Sequence, residues 1–82
     1  MNIRPDITNY ISKAEYADVI NKAHATHPQA SAEVRYVGSG TWKATIYGAN
    51  GLPVAWKQIP EKPGAPGGWN HGEYAVGVWT LA

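Results

Sequence analysis

The chain has no cysteine, no phenylalanine and a single methionine, and only fourteen of its 82 residues are Leu, Ile or Val. Without thiols, neither a disulfide nor a thiolate metal ligand can staple the fold, and cysteine usage leaves the redox compartment open. A domain of this size buries only about 60% of the surface its unfolded chain exposes, so its stability margin is thin. Charge of one sign is also lacking. Seven Lys and Arg against six Asp and Glu leave a net charge of +1, too little for long-range steering toward nucleic acid or an anionic membrane. No run approaches the ~20 apolar residues of a membrane-spanning helix, and the segment from Met1 to Asp6 carries no apolar stretch of the secretory type. The expectation is a single small cytoplasmic domain over residues 1–82, a complete product starting at Met1, with no membrane partner.

What the chain does have is aromatic area: four Trp and five Tyr. Each large aromatic buries roughly 150–250 Å², which compensates for the shortage of aliphatic residues. Any aromatic that the core does not use is a candidate for an interface.

Ser12-Lys13-Ala14-Glu15 reads as a capping box, in which the Ser12 hydroxyl accepts from the Glu15 N–H and the Glu15 carboxylate reaches back to the Ser12 N–H. Ile11 and Tyr16 stand where a hydrophobic staple would. Tyr16, Val19, Ile20, Ala23 and His27 then follow one helical face, Asp18 and Lys22 form an i,i+4 pair, and Pro28 disfavours helix geometry at His27. This predicts a helix over 13–26. Ile3, Ile7, Tyr10 and Ile11 fit either a short leading turn or an apolar arm.

After residue 30 the period becomes two. Ala32 to Val37 turns Ala32, Val34 and Tyr36 to one face, Thr41 to Tyr47 turns Trp42, Ala44 and Ile46, and Leu52 to Ile59 turns Leu52, Val54 and Trp56. Gly38-Ser39-Gly40 and Ala49-Asn50-Gly51 are the hairpin loops between them. A fourth strand over about 73–81 is apolar on both faces, which suits the middle of the sheet or a place under the helix. Between strands three and four, residues 60–72 form a Pro/Gly-rich loop, with Pro60, Pro63 and Pro66 spaced by three in a polyproline-like manner. Loops of about a dozen irregular residues are often functional. The fold class is α+β: one N-terminal amphipathic helix on a three- to four-stranded antiparallel sheet, in an α-β-β-β-β meander.

Register points to a surface. A three-residue first loop sets Arg35 opposite Lys43 and Tyr36 opposite Trp42. A three-residue second loop with left-handed Gly51 sets Ile46 opposite Val54, Ala44 opposite Trp56 and Lys43 opposite Lys57. A two-residue Asn50-Gly51 turn would instead set Ala44 opposite Lys57 and Thr45 opposite Trp56, mismatching the apolar faces. The first register lines up Arg35, Lys43 and Lys57 across the face away from the core, with Tyr47, Thr41 and Thr45 beside them and Glu33 partly offsetting the charge. Like charges directly opposite one another are destabilising, so such a row suits an anionic partner, although long lysines on a wet face also splay apart at little cost. Trp69, flanked by glycines in the loop, suits either a lid over the core or a projecting anchor.

Enzymatic equipment is not evident. His24 and His27 lie three apart near a helix end but have no carboxylate or Cys at a matching spacing, and the helix dipole favours His there in any case. Ser12, Ser31 and Ser39 lack a strained elbow, Glu61 and Glu73 flank a loop, and no Gly-rich phosphate loop precedes a helix. Neither a cofactor nor a metal is implied.

Ala55-Trp56-Lys57-Gln58 through Glu61-Lys62-Pro63-Gly64, with Gly77-Val78-Trp79-Thr80-Leu81, resembles the short aromatic strands and Pro-Gly loop of small chitin-binding modules. The resemblance covers under half the chain, the helix has no counterpart there, and the spacing to the final Trp is longer. It implies a carbohydrate-binding role for exposed Trp56, Trp69 and Trp79. The leading expectation is different: a small non-enzymatic interaction or inhibitor protein, of the kind carried by phages and mobile elements. It would bind a larger protein or ribonucleoprotein of anionic surface through Arg35, Lys43, Lys57, Tyr47 and Trp69. A nucleic-acid-binding module would use the same cationic face.

Overall fold

The computed structural model describes residues 5–38, 40–62, 64–65 and 78–82. A short 3₁₀ turn, Pro5–Asn9, leads into helix α1, Lys13–Thr26, followed by strands β1 (Ser31–Gly38), β2 (Thr41–Tyr47), β3 (Pro53–Pro60) and β4 (Thr80–Leu81). The four strands form one antiparallel sheet in the order β1-β2-β3-β4. The α+β class and the helix-then-strands order are those the periodicity predicts.

Helix α1 begins where the cap predicts. The Glu15 N–H donates to Ser12 Oγ at 3.2 Å, and at the other end the His27 N–H donates to the Ala23 carbonyl at 3.3 Å before Pro28. Its buried stripe is Glu15, Val19 and Ala23, so the helix is rotated from the face expected from Tyr16, Ile20 and His27. His27 is exposed, and its Nδ1 accepts from the Gln29 N–H at 3.0 Å. Residues before the helix adopt the leading-turn alternative: the N–H groups of Tyr10 and Ile11 both donate to the Ile7 carbonyl, and Ile7 and Ile11 are fully buried.

The core lies between the helical layer and one face of the sheet. It comprises Ile7, Ile11, Val19 and Ala23 against Ala32, Trp42, Ala44, Ile46, Ala55 and Ile59. Trp42 supplies the largest aromatic surface there, between the Tyr10 ring at 5.2 Å and the Tyr36 ring edge at 5.3 Å, with Nε1–H donating to buried Glu61 Oε1 at 3.1 Å. The start of the 60–72 loop is pinned here, since the Glu61 N–H donates to the Gly40 carbonyl and the Lys62 N–H to the Tyr10 carbonyl. Further on, the Ala65 N–H donates to the Lys62 carbonyl, with Gly64 at φ +82°; Pro63 and Pro66 of the expected polyproline-like path lie outside the described residues.

Two expectations about the sheet are corrected. Among the described residues, the last strand is Thr80–Leu81, exposed and placed after β3 at the end of the sheet order rather than in its middle; most of the expected 73–81 strand falls outside the described residues. The second correction concerns β3. Its core-facing residues are Ala55, Lys57 and Ile59, not Leu52, Val54 and Trp56. The loop itself has the three-residue form: Gly48 N–H donates to the Leu52 carbonyl, Gly51 N–H to the Gly48 carbonyl, and Gly51 is left-handed at φ +81°. Tyr47 pairs with Pro53, but Ile46 pairs with Ala55, so Val54 is the extra residue of a β-bulge. One inserted residue sends every later side chain to the opposite face.

Candidate functional site: the outer face of the sheet

On β1 and β2 the outer-face residues are as expected. Arg35 is opposite Lys43, and the extra residue at Val37 lies beyond that pair. Opposite Lys43 on β3, however, stands Gln58 rather than Lys57, and Trp56 is opposite Thr45. The predicted Arg35/Lys43/Lys57 row is therefore broken at its third member, and Trp56 takes a place on that face.

Lys57 instead occupies the opposite side as the largest fully buried side chain, 1% exposed. Its Nζ donates to Asp18 Oδ2 at 2.6 Å, lies 3.2 Å from Glu15 Oε2, and sits 5.1 Å from the centroid of the Trp79 ring. Trp79 Nε1–H donates to the same Asp18 oxygen at 2.8 Å. One carboxylate thus ties β3 and the C-terminal segment to the helix. The hydrogen bond from Lys57 is the main reason the Asp18 carboxyl is held below its ordinary value near 3.8; partial desolvation opposes this, and the Trp79 hydrogen bond and the charges of Lys57 and Lys22 add to it. A buried ammonium needs such partners, since its desolvation is otherwise prohibitive. This cluster is structural, and sequence reasoning missed it. The available signal was Glu15 and Asp18, three apart on one helical face, facing a sheet with a lysine between an outward Trp and a Gln.

On the outer face, Lys43 lies with Nζ 5.0 Å from the Trp56 centroid, within cation–π range. Thr45 is buried between its cross-strand neighbours Glu33 and Trp56. Tyr47 is half-buried, with its hydroxyl 3.5 Å from Glu33 Oε1, and the Arg35 side chain extends into solvent with Nε 3.9 Å from the same oxygen. The structure therefore brings Arg35, Lys43 and Tyr47 onto one surface with Trp56, and sends Lys57 elsewhere. Trp69 lies outside the described residues.

Trp56 and Trp79 turn to opposite sides of the sheet, one toward Lys43 and the other toward Asp18 on the helix. They do not form the line of exposed rings that the chitin-binding resemblance implies. Among the described residues, no group of three His, Cys, Asp or Glu side chains converges to hold a metal ion, and no helix is long and apolar enough to cross a membrane.

No family model, curated protein or solved structure matches the chain. Any functional reading therefore rests on the arrangement of the residues themselves.

Proposed function

We propose that the protein is a small, non-enzymatic binding module that acts in the cytoplasm by occupying the surface of a larger protein of anionic character, as small phage and mobile-element inhibitors do. The observation that carries this reading is the position of Trp56. The bulge at Val54 places it on the outer face of the sheet with the Lys43 ammonium beside its ring, while Trp42 and Trp79 are committed to Glu61 and Asp18. Trp, Tyr and Arg are the side chains most enriched among interface residues that dominate binding energy or form the buried interface core. Trp56, Tyr47 and Arg35 stand together here with Lys43. The cations favour an acidic counterpart, and the near-zero net charge places the selectivity in this local patch rather than in long-range attraction.

A second reading, single-stranded nucleic acid, draws on the same pairing of aromatic rings and cations on a sheet, which suits base stacking with backbone contact. Salt separates the two. Nucleic-acid binding weakens steeply and linearly on a logarithmic salt scale, whereas an interface anchored on Trp56 changes far less. The proposal is tested by capturing partners from host lysate with the parent protein and with Trp56→Ala and Lys43→Glu. A partner retained equally by all three removes the outer face from consideration.

A further inference from the structure

We propose that the protein pairs with a second copy of itself through the outer edge of β1, forming a two-fold symmetric antiparallel β1–β1 junction that continues the sheet across the dimer. This inference does not depend on the reading of the outer face given above. β1 is the terminal strand of the sheet, and among the described residues no strand pairs with its free edge. At eight residues it is as long as any strand in the fold, and it carries two of the exposed large apolar side chains, Tyr36 and Val37. An edge of this length offers unpaired backbone N–H and C=O groups to another strand.

Charge complementarity selects the occupant and the register. If both helices are to stay on one side of a continuous sheet, residues on the same face must oppose one another, so the two-fold axis passes through a residue of β1. With the axis at Val34, each Glu33 faces Arg35 of the second copy on the outer side, twice per dimer, and Tyr36 faces Ala32 of the second copy on the other. Moving the axis to Glu33 sets Glu33 against itself, and moving it to Arg35 sets Arg35 against itself. Opposite charges across an antiparallel pair stabilise it and like charges do the reverse. The sequence of β1 is thus self-complementary in one central register. In the single chain Glu33 Oε1 lies 3.9 Å from Arg35 Nε along the strand and accepts from the Tyr47 hydroxyl at 3.5 Å. Both charged side chains are substantially exposed (66% for Arg35 and 48% for Glu33), which leaves each of them solvent-facing surface to offer across the junction.

A single strand junction falls below the area of standard stable interfaces, so the dimer is expected to be weak and visible as a concentration dependence. Sedimentation equilibrium from about 10 μM to about 1 mM should show the mass rising from 8.9 kDa toward twice that value. Glu33→Lys and Arg35→Glu should each weaken self-association at least about ten-fold, because each variant faces like charge across both pairs. An equimolar mixture of the two variants should dimerise again, since the lysine introduced in one then meets the glutamate introduced in the other, and the unchanged Arg35 of the first meets the unchanged Glu33 of the second. Recovery in the mixture also shows that neither variant has lost its fold. The proposal is overturned by a parent that stays monomeric throughout, which would leave the edge to a foreign strand. Variants that dimerise like the parent, or a mixture that does not recover, overturn it equally.

Discussion

Replacing Lys57 by Met removes the ammonium while keeping most of the volume, and so isolates the electrostatic part of the cluster. In the native structure Lys57 lies between Glu15, whose side chain is 7% exposed, and Asp18, at 48%. After substitution Asp18 can hydrate, but Glu15 becomes a buried carboxylate without its cation. Breaking a buried pair from one side costs about 3–5 kcal/mol, whereas domains of this size have in total about 4–12 kcal/mol. The variant should therefore lose much of its stability. At about 4–8 °C per kcal/mol, its melting temperature should fall by more than ~12 °C. Urea unfolding followed by circular dichroism measures the loss. Adding Glu15→Leu to Lys57→Met should recover most of it, because an apolar pair of similar volume replaces the ion pair at little or no net cost. A loss within about 0.5 kcal/mol, as for an ordinary surface lysine, would refute the reasoning and return Lys57 to the outer face.

Three further outcomes follow from the geometry. Ser12→Ala should cost about 0.5–2 kcal/mol in thermal melts through loss of the cap, without change of fold. The Asp18 carboxyl is held below its ordinary value, so the stability it contributes is fully present at neutral pH and is lost as pH falls through the depressed folded-state value; Asp18→Asn should flatten the acid limb of the stability curve, measured by urea titrations across pH. Trp56→Ala should weaken partner binding by at least ~2 kcal/mol in calorimetric titration of a captured partner, while costing less stability than Trp42→Ala, for which about 3–5 kcal/mol is expected in parallel urea melts.

Local signals in the sequence were reliable where one residue sufficed to set the geometry. The Ser12 cap and Pro28 bound the helix, Gly51 marks the second hairpin loop, and alternation locates β1 and β2. In the first hairpin, however, Gly38 pairs with Thr41 inside β1 instead of opening a three-residue loop, and Tyr36 at the end of the expected inner face is exposed. The second hairpin was also legible as a loop. What followed it was not, because the extra residue at Val54 breaks an alternation that otherwise reads cleanly as Leu52, Val54, Trp56. Apolar matching between strands identifies the register only where the core face is wholly apolar. Here it holds a lysine, and the compensating carboxylates, Glu15 and Asp18, come from a helix some forty residues earlier in the chain. That compensation is a tertiary fact, invisible to strand periodicity. The same slip released Trp56 to the outer face, so three members of the candidate site, Arg35, Lys43 and Tyr47, were legible and its central aromatic was not.

Lysine reactivity reads that inversion most directly. Treating the folded protein with an amine-acylating reagent and mapping the modified sites by mass spectrometry should show Lys13, Lys22, Lys43 and Lys62 labelled. Lys57, 1% exposed under Glu15, Asp18 and Trp79, should stay unmodified until the protein is unfolded. Labelling of Lys57 at the rate of Lys43 in the native state would contradict the account, since it would put both lysines on one face and Trp56 in the core.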